Sequence, residues 1–192
     1  MHKVKGILKS YGWLLVIPIL YFSGAFSQLA TITQTAVLQA GFVNASPTVN
    51  TDQAIFDYNF TIKDLAGNKI DFSKYKGKTV FLNMWATWCP PCRSEMPSIQ
   101  KLYEALDKEK VVFVMLSLDK DEQIEKVKRY VAQKDFTFPV FMPSGYLSDQ
   151  LNVPSIPTTF VISPDGHIAY KEIGMRNYNT DKFKKFLTDI AQ

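Results

Sequence analysis

The chain has 192 residues, of which 46% are hydrophobic and 14% aromatic, so it can build the core of one ordinary domain and does not need a disulfide to stay folded. The formal net charge is +4, and Lys3, Lys5 and Lys9 account for most of it. The rest is close to neutral and has no run of Lys and Arg interleaved with aromatic residues, which argues against nucleic acid as a partner.

The first 53 residues divide into three predicted segments. Residues 1–10 are basic, residues 11–32 are uncharged and mostly apolar, and residues 33–53 form a largely uncharged stalk or linker. Residues 11–32 can form a single membrane-spanning helix, and the basic residues before it keep the N-terminus in the cytoplasm. A signal peptide cleaved near Ala25-Phe-Ser27 is the alternative. Both interpretations export the remainder; the first anchors it in a bacterial inner membrane, with its folded part in the periplasm or extracytoplasmic space.

Residues 54–192 are predicted to form one α/β domain. Two hairpins are indicated, one at each end of the domain, with buried strands and helices alternating between them. In chain order the predicted elements are a hairpin of 60–62 and 69–72, a strand at 78–85, a helix at 94–107, a strand at 111–118, a helix at 119–134, a short helix at 144–152, a hairpin of 158–162 and 167–170, and a helix at 182–190. This order predicts a mixed sheet between helices, with functional residues at the carboxyl ends of the strands.

Cys89 and Cys92, the two cysteines of the chain, follow a predicted buried strand and begin a predicted helix. Residues three apart on a first helical turn lie close enough to form a disulfide with little backbone movement. A helix N-terminus favours the thiolate, which is the reactive form of cysteine, and Pro90 fits the first helical position. The pattern predicts dithiol exchange, in which Cys89 attacks a partner disulfide and Cys92 resolves the mixed disulfide.

Four other uses of this cysteine pair are weighed against dithiol exchange. A structural disulfide would close a loop too short to constrain the unfolded chain appreciably. A structural zinc site has four ligands, of which the cysteines supply two. The two histidines, His2 and His167, lie in the leader and in a hairpin, so they are not expected to complete the site. Cu(I) accepts thiolate and thioether ligands, but the nearby Met84 and Met96 fall at core-like spacing. A Cys–His nucleophile would need His167 beside Cys89, which no pattern supports.

The stretch Trp-Ala-Thr-Trp-Cys-Pro-Pro-Cys-Arg-Ser-Glu-Met-Pro, at residues 85–97, resembles the active site of the thioredoxin superfamily. Over about residues 54–192 the sequence is similar to the membrane-anchored or secreted TlpA/ResA-type thiol–disulfide oxidoreductases. The resemblance implies a thioredoxin fold, a mixed central sheet flanked by helices with an N-terminal hairpin extension. It also implies a cis peptide bond at Ile156–Pro157, opposite the cysteines, where the Ile156 backbone pairs with an extended substrate segment.

Trp88, Pro90 and Pro91 complete the predicted substrate-binding surface together with Ile156 and Pro157. Trp88 shields one side of the cysteine pair and suits a surface that contacts other proteins. Pro90 and Pro91 remove two amide donors that would otherwise stabilise the thiolate before them. Because stabilising the reduced form makes a strong oxidant, their presence predicts a reducing rather than an oxidising potential.

Asn83 and Glu95 set this sequence apart from cytosolic thioredoxins. Those proteins carry a buried Asp six residues before the first cysteine, where this chain has Asn83, which cannot titrate. Glu95, shared with the TlpA-like branch, comes three residues after Cys92. If it is partly buried, Glu95 tunes the Cys92 thiol by like-charge repulsion or acts as its base. The alternative is a solvated acid favoured by the helix dipole.

The predicted function is that of an exported protein-disulfide reductase, an enzyme with no bound cofactor. The family suggests apocytochrome c or other periplasmic proteins as clients. Because the chain has two cysteines, its electrons must come from an external thiol donor, predicted to be a membrane protein. A disulfide oxidase or isomerase would use the same residues, and a copper-delivery module is a non-enzymatic alternative. A peroxidase is disfavoured because Thr87 stands two rather than three residues before Cys89.

Overall fold

A mixed β-sheet organises the part of the chain that the computed structural model describes, residues 33–34, 36–38, 43–47 and 54–191. Within these residues the strands are β1 (Thr61–Asp64), β2 (Lys69–Asp71), β3 (Thr79–Trp85), β4 (Val111–Ser117), β5 (Val140–Pro143), β6 (Thr158–Ile162) and β7 (Ile168–Ile173). Their order across the sheet is β2-β1-β5-β4-β3-β6-β7. The β3–β4 and β4–β5 pairs are parallel and the other pairs are antiparallel. The predicted mixed sheet and both hairpins are confirmed.

Three α-helices lie within residues 54–191: α1 (Pro90–Ala105), α2 (Ile124–Gln133) and α3 (Asp181–Ile190). Short 3-10 turns occur at Phe72–Tyr75, Asp121–Gln123 and Asp149–Leu151. Helix α3 begins with Thr180, whose side chain accepts a hydrogen bond from the Phe183 N–H at 3.2 Å, an ordinary N-cap. Helix α1 begins differently, because its N-cap residue is Cys89. The redox pair and the start of this helix are therefore the same structural feature.

Strand β3 lies in the interior of the sheet and is buried at every position, which accounts for its nearly continuous apolar sequence. Successive side chains of a strand point to opposite faces. One face carries Val80, Leu82 and Met84, which belong to one apolar cluster, and the other carries Phe81 and Trp85, which belong to a second. Cys89 and Cys92 belong to this second cluster. Helix α1, which begins at the cysteines, thus covers the face of β3 that carries Phe81 and Trp85.

The structure differs from the sequence prediction in three places. Residues 140–143, to which we assigned no element, form strand β5 between β1 and β4, because a four-residue strand leaves too short a pattern to identify. The helix predicted at 119–134 begins as a 3-10 turn at Asp121, since the buried Asp119 instead accepts hydrogen bonds from Thr87. The helix predicted at 144–152 is a 3-10 turn at Asp149–Leu151.

The predicted membrane span, residues 11–32, lies outside the described residues. Among the residues that the structure does describe, no helix combines the length and the apolar character needed to cross a bilayer.

Candidate active site

The two cysteines form a disulfide at the carboxyl end of β3, with their Cα atoms 5.3 Å apart. The Cys92 N–H donates a hydrogen bond to the Cys89 sulfur at 3.2 Å, so this sulfur caps helix α1. Pro90 occupies the first helical position, as the sequence predicts, and Pro91 occupies the second. Cys92 is fully buried, whereas Cys89 keeps 4% of its surface exposed. Cys89 is therefore the more exposed residue of the pair.

The loop before β6 approaches the disulfide from the opposite side. The peptide bond between Ile156 and Pro157 is cis, as the family resemblance implies. The Ile156 carbonyl oxygen lies 3.8 Å from the Cys89 sulfur, within reach of an S–H donor once the pair is reduced. The Gly174 N–H donates to the Pro157 carbonyl oxygen at 2.8 Å and ties this loop to the end of β7. Trp88, which directly precedes Cys89, is 57% exposed, so the surface around the pair is partly apolar.

Glu95, three residues after Cys92 on α1, is completely buried. Its Oε1 accepts a hydrogen bond from the Asn83 side-chain amide at 2.8 Å, and its Oε2 accepts one from the Arg176 backbone N–H at 3.0 Å. Burial raises the pKa of Glu95 from 4.5 to about 8, although both hydrogen bonds act in the opposite direction. The alternative of a solvated acid at the helix N-terminus is therefore wrong. Near neutral pH the side chain is largely protonated.

Two elements other than α1 contact this carboxyl group. Asn83 comes from β3, on the face shared by Phe81 and Trp85, and its amide also donates to the Thr159 hydroxyl on the neighbouring β6 at 2.9 Å. Arg176 lies in the loop after β7, where its guanidinium forms a 2.6 Å ion pair with Glu172. Strand alternation could have pointed to Asn83 as a neighbour of α1. The Arg176 contact uses a backbone N–H, for which a sequence gives no signal.

The segment predicted to be a stalk contacts the loop after β7, whose Arg176 N–H binds the Glu95 carboxyl group. The Ala45 N–H donates to the Asn177 carbonyl oxygen at 3.0 Å, and the Asn177 N–H donates to the Val43 carbonyl oxygen at 2.9 Å. Ala45 is 1% exposed and belongs to the same apolar cluster as the cysteines. Asn177 is adjacent to Arg176, so these contacts fix the backbone next to the N–H that binds the carboxyl group.

The residues considered for metal binding lie apart from one another. Met84 and Met96 are both buried, but they belong to apolar clusters on opposite faces of the sheet, so they do not converge on the cysteines. His167 lies in the turn after β6, at the end of the sheet opposite the cysteines, with its Nδ1 3.1 Å from Asp165. Within the described ranges, no group of three or more His, Cys, Asp or Glu side chains is placed to hold a metal ion.

Comparisons with known proteins point to the same chemistry. The sequence matches the AhpC/TSA family over residues 52–171. It is 44% identical over 117 residues to a thiol-disulfide oxidoreductase ResA of Bacillus cereus, a match that covers 60% of this chain and 66% of that protein. ResA of Bacillus thuringiensis subsp. konkukian is 44% identical over 134 residues, covering 69% of this chain and 75% of the relative.

Among solved structures, similarity extends to a thioredoxin-family thiol:disulfide interchange protein from Chlorobium tepidum TLS. The two structures superpose with a TM-score of 0.57 at 27% sequence identity, covering 78% of this chain and 99% of that chain. The names of all three proteins refer to thiols and disulfides.

The raised pKa of Glu95 predicts a pH dependence of stability in the disulfide form. Between pH 4.5 and about 8 the folded protein retains a proton that the unfolded chain has lost, so this contribution is complete below pH 4.5 and is lost as the pH rises through about 8. The slope is at most about 1.4 kcal/mol per pH unit. Replacing Glu95→Gln removes the contribution. Urea unfolding at several pH values measures it as the difference between wild type and variant.

Glu109→Gln is the matched control, because Glu109 is exposed after α1. The same variation with pH in wild type and Glu95→Gln would show that Glu95 titrates normally.

Proposed function

Because this chain belongs to the AhpC/TSA family and is a thiol–disulfide oxidoreductase of the ResA type, we propose that it works in the reducing direction on disulfides of exported proteins. The observation that carries the proposal is the cap of helix α1. The Cys89 sulfur accepts a hydrogen bond from the Cys92 N–H, and the two preceding helical positions are prolines. Because Pro91 has no N–H at the second helical position, the thiolate lacks an additional amide donor that would stabilise the reduced form and make the protein a strong oxidant.

The reaction consists of two thiol–disulfide exchanges. In the first, the Cys89 thiolate attacks one sulfur of the client disulfide, a mixed disulfide forms, and the client's other sulfur leaves as a thiolate that takes up a proton. In the second, Cys92 loses its proton and attacks the Cys89 sulfur, which breaks the mixed disulfide and releases the second client thiolate. Two electrons and two protons pass from the protein to the client, and the protein is left in the disulfide form.

Glu95 is proposed to receive the proton of Cys92 in the second exchange. It follows Cys92 by three residues on α1, and residues at this spacing are neighbours on a helix. Proton transfer is most efficient between groups of similar pKa, and the value of about 8 for Glu95 lies close to the ordinary value of about 8.5 for a thiol. The carboxyl group can accept this proton only after it has lost its own, so the step becomes faster as the pH rises towards 8.

The cellular setting is proposed from the sequence. Residues 11–32 are uncharged and mostly apolar after three lysines, which supports a single-pass anchor with a cytoplasmic N-terminus and a catalytic domain outside the cytoplasm. Disulfides persist in that compartment, so a reductase there requires selected clients, such as apocytochrome c, and an external thiol donor. An electron donor in the membrane suits a domain tethered to it.

A trapping experiment tests the proposed chemistry. In Cys92→Ser the first exchange still occurs but the second cannot, so client proteins accumulate as mixed disulfides on Cys89. We expect specific adducts in cells expressing this variant, which non-reducing gels and mass spectrometry identify. Cys89→Ser is the matched control and should trap little. Equal adducts from both variants, or none from Cys92→Ser, would contradict the assigned roles.

The redox potential tests the direction of exchange. Equilibration of the Cys89–Cys92 pair with glutathione buffers should give a potential well below the roughly −120 mV of a strong oxidant. Pro91→Ala restores an N–H at the second helical position, where an N-cap acceptor can receive it, so its potential should be less negative than that of wild type.

Pro90→Ala is the control for this shift, since the N–H at the first helical position is not directed at the cap. A wild-type value near −120 mV would make the protein an oxidase or isomerase instead.

The pH profile of the second exchange tests the role of Glu95. A mixed disulfide between Cys89 and glutathione is prepared, and its release by Cys92 is followed in a single turnover. In wild type the rate should rise through a pH near 8 as Glu95 loses its proton. In Glu95→Gln this inflection should disappear and the rate at that pH should fall on the order of 10²-fold, the usual contribution of a general base. An unchanged inflection in the variant would assign it to another group.

A further inference from the structure

A groove with basic walls opens beside the redox pair. It has a volume of about 260 Å³ and is lined by Thr87, Arg93, Lys126, Arg129, Tyr130 and Gln133. The three charged residues that line it are all cationic, whereas residues 10–192 as a whole are close to neutral. A local excess of one charge in a concave surface attracts the opposite charge more strongly than scattered charges do.

The groove lies next to the reacting sulfur along the chain. Thr87 comes two residues before Cys89, so their Cα atoms are within about 7.6 Å of each other. Arg93 follows Cys92 directly and is part of the first turn of α1. A partner bonded to Cys89 in extended form advances about 3.3 Å per residue, so residues only a few positions from its cysteine reach this groove.

Two acidic side chains near the groove already form hydrogen bonds or ion pairs with residues other than its three cations. Asp119 is 4% exposed and accepts hydrogen bonds from the Thr87 N–H and the Ser117 hydroxyl, both at 2.8 Å. These bonds hold Thr87, which forms one wall of the groove, in place. On α2, Glu125 forms a 2.6 Å ion pair with Lys128, which is not a lining residue. A third acid, Glu122 in the 3-10 turn before α2, is exposed.

Tyr130 supplies a neutral polar group to the same groove. Its ring packs against Trp85 with 5.8 Å between centroids, so the groove is anchored to the core behind the cysteines. Burial raises the pKa of Tyr130 to about 12, although the nearby positive charge of Arg93 acts in the opposite direction. The phenol therefore stays protonated at physiological pH and adds no negative charge.

We propose that this groove docks an acidic segment of the redox partner, with Asp or Glu side chains within a few residues of the partner cysteine that bonds to Cys89. The inference rests on dithiol exchange at Cys89 and adds the chemical class of the preferred partner. Carboxylates fit because Arg and Lys form charge-assisted hydrogen bonds with them, and docking next to the covalent bond aligns the partner sulfur. Complementary charge acts mainly on the rate at which two molecules meet. The preference for acidic partners should therefore appear in second-order rate constants measured at low salt.

Peptide substrates test the preference directly. Three peptides of equal length carry one central cysteine as a mixed disulfide with thionitrobenzoate, flanked by Glu, by Gln or by Lys. The reduced full-length protein releases the coloured thiol, which gives a second-order rate constant for each peptide. We expect the rate constant to be highest for the Glu peptide, lower for the Gln peptide and lowest for the Lys peptide. The highest and lowest values should differ about tenfold at low salt and much less at high salt, where charges are screened.

Charge-reversed variants locate the effect. Lys126→Glu with Arg129→Glu should abolish or invert the preference for the Glu peptide over the Lys peptide. Lys78→Glu with Lys110→Glu is the matched control, because both residues are exposed at the opposite end of β3 and β4 and the change in net charge is the same. Lys126→Gln with Arg129→Gln, which avoids new acids on α2, should lose the preference without inverting it. Circular dichroism confirms that each variant is folded.

Each outcome bears on the proposal. Equal rates for the Glu and Lys peptides in wild type overturn it, as does an equal loss of preference in both charge-reversed variants, which would mean that net charge alone acts. Failure of all three peptides to react with wild type would count against dithiol exchange itself, and the Gln peptide separates that result from failure of the groove. Loss of the preference in the groove variants alone supports the proposal.

Discussion

The hydrogen bond from the Cys92 N–H to the Cys89 sulfur is the interaction on which the active site depends. An α-helix leaves its first N–H groups without partners, and most helices satisfy one of them with a Ser, Thr, Asp or Asn side chain. Here a sulfur takes that place. Since Pro90 and Pro91 have no N–H to offer, the same bond that begins the helix determines how well a thiolate is stabilised. Any change that moves the helix start also changes the chemistry.

Burial of Glu95 is the second feature of the site, and it follows from where the helix lies. Helix α1 packs on the face of β3 that carries Phe81 and Trp85, and this places a carboxyl group inside the apolar core. A buried carboxyl group needs hydrogen-bond partners, and the structure supplies two N–H donors from separate elements. They compensate for only part of the lost hydration. The result is an acid whose pKa approaches that of a thiol.

The sheet separates the tasks of the molecule. The carboxyl end of β3 carries the cysteines, the Thr87 wall of the groove and the approach of the Ile156 loop, whereas His167 and the amino ends of β3 and β4 lie at the other end. One face of β3 packs against a cluster rich in aromatic residues. The opposite face supports the cysteine helix. The sheet therefore holds the sulfur, the acid and the basic groove in fixed relation.

Sequence alone determined the mixed α/β fold and the position of the two cysteines at a helix N-terminus, because these depend on local patterns and on short spacing. It identified Glu95 as a residue of interest, but a solvated and a buried acid have the same sequence. Only the tertiary structure decided between them, because burial depends on which face of β3 the helix covers. Strand β5 could not be predicted from the sequence, since it is too short to show a period. The contact between Arg176 and Glu95 could not be predicted either, because it is made by a backbone N–H that every residue except proline carries.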